Sequence, residues 1–69
     1  MFEITLREDF IKLGQALKAM NLVESGAEAK DVILAGEVKV NGEVCTMRGK
    51  KLYPNDVVSF NGEEIRIKA

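Results

Sequence analysis

Alternating apolar and polar residues open the chain. In Phe2-Glu3-Ile4-Thr5-Leu6 every second side chain is apolar, the period of a short strand with one wet face. The period then changes. Leu13, Ala16, Leu17 and Met20 stand at i, i+3, i+4 and i+7, with Phe10 on the same side, and predict a helix with a single apolar stripe. Gln15 and Lys18 project from its opposite side, Lys12 lies at the edge, and Asn21 ends it. A second helix is predicted from Ser25 to Gly36. Ser25 and Glu28 have the spacing of a capping box, in which each side chain serves the other residue's amide. Ala29, Val32 and Ile33 form its buried stripe, and Gly36 suits the left-handed residue after the last turn. The four residues from Leu22 to Ser25 separate the helices, which predicts a compact pair.

The rest of the pattern is β. Asn41-Gly42 and Asn61-Gly62 are two-residue hairpin signals, because both central residues of such a turn need positive φ. The first sets Val40 opposite Glu43, Lys39 opposite Val44 and Val38 opposite Cys45. The second sets Phe60 opposite Glu63 and Val58 opposite Ile65. Val58, Phe60, Ile65 and Ile67 then share one face, and Ser59, Glu64, Arg66 and Lys68 the other. Pro54-Asn55-Asp56 supplies a turn into the last hairpin. The expected fold is α+β: two packed helices against a small, strongly bent antiparallel sheet, forming one domain over residues 1–69.

Composition narrows the chemistry. A chain of 69 residues buries only about 60% of its unfolded surface, which leaves little room for a deep substrate cleft. No histidine is present, so the usual general base near neutral pH is missing, and most catalytic zinc sites go with it. Cys45 is the single cysteine and has no internal disulfide partner. Opposite Val38 it reads as a small hydrophobe rather than a nucleophile. No run approaches the ~18 apolar residues of a membrane span and no signal peptide is evident, so the sequence predicts a cytoplasmic protein. No enzyme activity, cofactor, metal, small-molecule substrate or membrane partner is expected.

Net charge is −1, but its distribution matters more than its sum. Residues 10–53 carry seven cations against five acids, whereas the two ends together carry three against six. Three of the cations, Arg48, Lys50 and Lys51, fall within four residues beside the first hairpin. Such a cluster is often only a solvated loop. Gly49 favours the ligand-facing reading, since it lets backbone bend toward a partner with no side chain in the way.

Taken together, Ser25-Gly26-Ala27-Glu28-Ala29-Lys30, Gly36-Glu37-Val38-Lys39-Val40-Asn41-Gly42-Glu43, the basic Arg48-Gly49-Lys50-Lys51-Leu52 and Asn55-Asp56-Val57-Val58 closely resemble the S-four RNA-binding domain, whose helix–helix–strand core is also called the αL motif. The resemblance is fullest over residues 11–60 and is greatest to the small, free-standing bacterial members described as ribosome-associated. It implies RNA contacts from Lys12 and Gln15 on the first helix, from Ser25, Gly26 and Lys30 around the second, from Lys39 and Asn41 at the hairpin, and from Arg48, Lys50 and Lys51 in the loop. One departure stands out: many members have an arginine after the serine, where this chain has Gly26.

Several of these residues have structural duties as well. Ser25 is first a cap, and Asn41 and Gly42 are first a turn. Lys18 reads as a solvated helix face, and Lys12 and Lys30 are divided between that reading and RNA contact. Tyr53 either stacks on a base or packs against the hairpin. The expected function is therefore non-catalytic binding of structured RNA, ribosomal above all, by a monomer in ribosome assembly or translation. The alternative is a protein-interaction adaptor docking on a ribosomal protein or assembly factor.

Overall fold

A computed structural model describes residues 2–69. Along them run β1 (Phe2–Thr5), β2 (Ile11–Lys12), α1 (Leu13–Ala19), α2 (Gly26–Leu34), β3 (Val38–Val40), β4 (Glu43–Val44), β5 (Lys51–Leu52), β6 (Val57–Phe60) and β7 (Glu63–Lys68). The main sheet has the order β1-β7-β6-β3-β4, and β2 and β5 form a separate two-residue ladder.

The α+β architecture is as expected, with the two helices against the sheet, but the sheet is mixed. β1 runs parallel to β7, from Phe2 opposite Ile65 to Thr5 opposite Lys68; the other pairings are antiparallel. Alternation in a sequence tells which face a strand buries and says nothing of its direction. Both hairpin registers are those predicted: Val40 faces Glu43 and Lys39 faces Val44, while Phe60 faces Glu63 and Val58 faces Ile65.

The core lies between the helices and one sheet face. Leu13, Ala16 and Leu17 of α1 and Ala29 and Ile33 of α2 meet Val38, Val40, Val58, Ile65 and Ile67 of the sheet. Val23, from the interhelix segment, and Leu52 of β5 complete it. Val32 and Met20, expected in the stripes, are only half-buried.

Both helices end alike. At α1 the Asn21 amide donates to Lys18 O (3.0 Å) and the Leu22 amide to Leu17 O (3.1 Å), with Asn21 at φ 57°. At α2 Gly36 donates to Ile33 O and Glu37 to Val32 O, both at 3.1 Å, with Gly36 at φ 78°. These paired bonds around a left-handed residue are Schellman motifs. The start of α1 differs from expectation. Ile11 and Lys12 are drawn into the ladder with Leu52 and Lys51, so the helix begins only at Leu13 and leaves Phe10 outside it. At α2 the Ser25 hydroxyl accepts from the Glu28 amide (3.1 Å), as expected. The return half of the box is shifted, because the Glu28 carboxylate accepts from the Glu24 amide (2.6 Å) and not from that of Ser25.

A polar clamp joins the first hairpin turn to the turn before β6. Asn41 Nδ2 donates to Asp56 Oδ1 (3.0 Å), the Val57 amide donates to Asn41 Oδ1 (2.9 Å), and the Asn41 amide donates to Val57 O (2.7 Å). The other Asp56 oxygen accepts from the Tyr53 amide (2.8 Å), closing the Pro54–Asn55 turn in which Asn55 has φ 80°. Asn41 and Asn61 occupy equivalent left-handed turn positions, at φ 52° and 53°, but of these two only Asn41 has side-chain hydrogen bonds among the described residues. Replacing either by alanine costs about 1 kcal/mol for the left-handed backbone. Asn41→Ala additionally loses two bonds of about 1 kcal/mol each. Urea denaturation is therefore expected to show Asn41→Ala less stable than Asn61→Ala by about 2 kcal/mol; equal losses would show that the clamp contributes nothing.

Candidate nucleic-acid interface

The basic loop is organised by its own backbone. Met47-Arg48-Gly49-Lys50 forms a turn closed by the Lys50 amide on Met47 O (3.1 Å). Its carbonyls then face the start of α1: Leu13 donates to Lys50 O (2.9 Å) and Gly14 to Arg48 O (3.1 Å). A helix start leaves four amides without internal acceptors. Here the loop takes two of them, and Gln15 Oε1 accepts from the Lys12 amide (3.3 Å). Lys12 occupies the cap position, where its ammonium cannot accept any hydrogen bond. The loop is thus the missing cap of α1, and docking it brings Arg48 beside Lys12.

The result is a groove of about 380 Å³ lined by Lys12, Gly14, Gln15, Lys18, Gly26, Ala29, Arg48 and Gly49. It gathers three cations and no acid. Its floor is where α1, α2 and the loop meet: a methyl group on Gly14 would lie 3.7 Å from Arg48 O and 3.9 Å from Ala29 Cβ. Lys30 is exposed one turn beyond Gly26 on the same side of α2. The amides of Gly26 and Ala27, at the α2 start, have no acceptor among the described residues, in contrast to those of α1. The single ion pair among the described residues is Lys68–Glu3, at 3.8 Å. None of the groove cations is neutralised by a neighbouring carboxylate.

The predicted residues therefore separate. Lys12, Gln15, Gly26 and Arg48 line the groove, with Ser25 and Lys30 at its α2 side. Lys50, Lys51 and Asn41 line a different concavity between the basic loop and the first hairpin, with Tyr53, Met47, Val44, Glu43 and Asp56 among its other walls. Lys51 pairs across the small ladder with Lys12, but its ammonium rests 4.8 Å from the centre of the Phe10 ring. Lys39 is exposed between buried Val38 and Val40, hence on the sheet face turned away from the helices. Asn41 is held in the clamp. Gly49 has no positive φ and open space where a Cβ would be, so the turn does not require its special freedom.

Four residues of the groove lining, Gly14, Lys18, Ala29 and Gly49, were not among the predicted contacts. Lys18 reads as an ordinary wet position until the loop is seen to close the groove beside it; its i+3 spacing from Gln15 was the available signal. Gly14 reads only as a weak helix residue. Tyr53 contacts Phe10, with ring centroids 6.2 Å apart and planes tilted by 54°, in addition to facing the hairpin cavity. Cys45 is half-buried, with Sγ 3.7 Å from Met47 O. No helix among the described residues is long and apolar enough to cross a membrane.

Known proteins match this chain in sequence and in fold. The family model described as the S4 domain matches residues 4–68. A Bacillus subtilis protein named "Probable ribosome maturation protein RlbA" is 42% identical over 59 residues, covering 86% of this chain and 83% of its own. YbcJ of Escherichia coli is 39% identical over 59 residues, covering 86% of this chain and 84% of its own. The solution structure of Escherichia coli YbcJ, described as revealing an αL motif involved in RNA binding, superposes with a TM-score of 0.76 at 36% identity, covering all of this chain and 89% of that one. The matched segment spans almost the whole chain and includes every wall of the cationic groove, and the chain belongs to the S4 domain family.

Proposed function

We propose that the protein is a non-catalytic RNA-binding module for structured RNA, with ribosomal RNA as its target, acting in the cytoplasm in ribosome assembly or translation. The observation that carries the reading is the groove formed where the basic loop caps α1, with Lys12, Lys18 and Arg48 unpaired around it. The name of the Bacillus subtilis relative supports a ribosomal target, and the αL motif of YbcJ supports RNA as the ligand class.

Phosphate fits this groove for three reasons. The cations stand within one concavity, so a single stretch of backbone meets several at once. No carboxylate competes inside it. The free amides at the α2 start lie beside it, and helix N-termini attract anions through aligned N–H dipoles. Base edges are poorly served: Gln15 is the only uncharged polar side chain in the lining, and its Oε1 already accepts from Lys12. Recognition in the groove therefore rests on the spacing and bend of phosphates, as in shape-directed binding of folded RNA.

Fluorescence anisotropy with a ribosomal RNA hairpin over a salt series tests the reading. Each lost phosphate contact reduces the slope of log affinity against log salt by roughly 0.7 to 0.9. The Lys12/Lys18/Arg48→Gln variant is expected to lose about two to three units of slope and most of its affinity. Lys39→Gln, on the far sheet face, is expected to match the wild type. Equal behaviour of the two variants would remove the groove from the account. Retained binding to a ribosomal protein or assembly factor, with no RNA binding at any salt, would favour the adaptor alternative.

Gly26 offers a gain-of-function test. Nothing lies within 4 Å of a Cβ built there, so an arginine fits at the edge of the groove. Gly26→Arg is expected to tighten RNA binding and steepen the salt slope by about one phosphate contact, roughly 0.7 to 0.9. An unchanged slope would show that no phosphate passes the start of α2.

A further inference from the structure

The concavity between the basic loop and the first hairpin is chemically different from the groove. Its volume is about 590 Å³, within the ~300–1,000 Å³ of typical small-ligand pockets. Three of the most exposed large apolar side chains of the protein line it: Val44 at 56%, Met47 at 65% and Tyr53 at 48% exposure. Exposed apolar groups gathered around one concavity mark a binding surface more often than chance scatter does. Lys50 and Lys51 belong to the same lining.

We infer that this cavity receives one unpaired nucleobase of the bound RNA, stacked on Tyr53, with the flanking phosphates at Lys50 and Lys51. The inference rests on the RNA-binding reading and adds a base-holding subsite to it. Several observations converge on it. The Tyr53 ring is already positioned: its amide is tied to Asp56 Oδ2 (2.8 Å), Asp56 Oδ1 is tied to Asn41 (3.0 Å), and Phe10 leans on the ring at 6.2 Å. An aromatic platform fixed beforehand loses little entropy when a base stacks on it. Met47 and Val44 line the same cavity and present the polarisable and apolar surface that suits a base. The two acids in the lining do not oppose this. Both oxygens of Asp56 are engaged inside the protein, and Glu43 offers acceptors suited to the amino edge of a base. The two concavities share the basic loop as a wall: Arg48 and Gly49 face the groove, and Met47, Lys50 and Lys51 face the cavity. An RNA helix seated in the groove can therefore place a bulged nucleotide across the loop.

The test compares two RNA hairpins that differ by a single bulged 2-aminopurine, one carrying it and one fully paired. Wild type is expected to bind the bulged hairpin more tightly and to quench its fluorescence. Tyr53→Ala is expected to lose about tenfold in affinity for the bulged hairpin, the scale of one stacked base, with the salt slope unchanged because no charge is removed. Its affinity for the paired hairpin is expected to stay the same, which also shows that the variant is folded. Tyr53→Phe is expected to retain the quenching. Met47→Ala, on the other side of the cavity and too exposed to disturb the core, is expected to lose part of the bulge preference. Salt-dependent binding of both hairpins by wild type, with no bulge preference, no quenching or no effect of Tyr53→Ala, overturns the base site and leaves the groove standing. Binding of neither hairpin overturns both.

Discussion

The two hydrogen bonds from Leu13 and Gly14 to the carbonyls of Lys50 and Arg48 hold the walls of the cationic groove together. α1 has no serine, threonine or aspartate to cap it, and its cap residue is a lysine. Its first amides would go unsatisfied without the loop. The loop, in turn, has one buried side chain nearby to anchor it, Leu52. Each needs the other. The exchange takes α1's amides out of play as an anion site and replaces them with the side chains the loop carries. The groove is a by-product of helix capping.

The arrangement has an electrostatic cost. Lys12 and Lys51 are direct cross-strand partners, a placement in which like charges repel. Lys12, Lys18 and Arg48 share a concavity with no acid. The chain holds 11 acids against 10 cations, so acids were available for pairing. Yet the one ion pair among the described residues joins Glu3 of β1 to Lys68 of β7, away from the groove. Three like charges gathered in one concavity with no acid among its walls repel one another, which is the local cost of the arrangement. Lys51 shows a partial remedy, since its ammonium rests on the Phe10 ring.

What could be read from the sequence follows from the physics each signal carries. The Asn-Gly pairs specified both hairpin registers because positive φ at two consecutive residues is rare and specific. The apolar stripes located both helices, and Asn21 and Gly36 located their ends. The direction of β1 could not be read, because alternation is blind to it. Nor could the β2–β5 ladder: two residues carry no period, and Leu52 follows directly on a run of charge. The start of α1 was misplaced for the same reason, since Phe10 and Ile11 suit a helix until the ladder claims Ile11. For the site, the resemblance named residues on both helices, the basic loop and the first hairpin, but which cations share a concavity depends on backbone carbonyls, and no side-chain pattern records those. Lys18 and Lys39 illustrate it. On pattern alone Lys18 is an idle wet position, yet it lines the groove. Lys39 is a candidate contact by resemblance, yet it faces away from the groove.

The parallel pairing of β1 with β7 bears on how the chain folds. β1 pairs with residues 65–68, so seating it is the longest loop closure in the molecule. The ladder, both helices, the basic loop and the first hairpin all lie between residues 11 and 52 and close over shorter spans. Contacts of short separation form sooner than those that join distant segments. The contacts that build the groove are therefore the more local ones, and the pairing of β1 is the most distant in sequence. β1, an edge strand tied to a single neighbour, is then the element whose fraying or late arrival the groove can best tolerate.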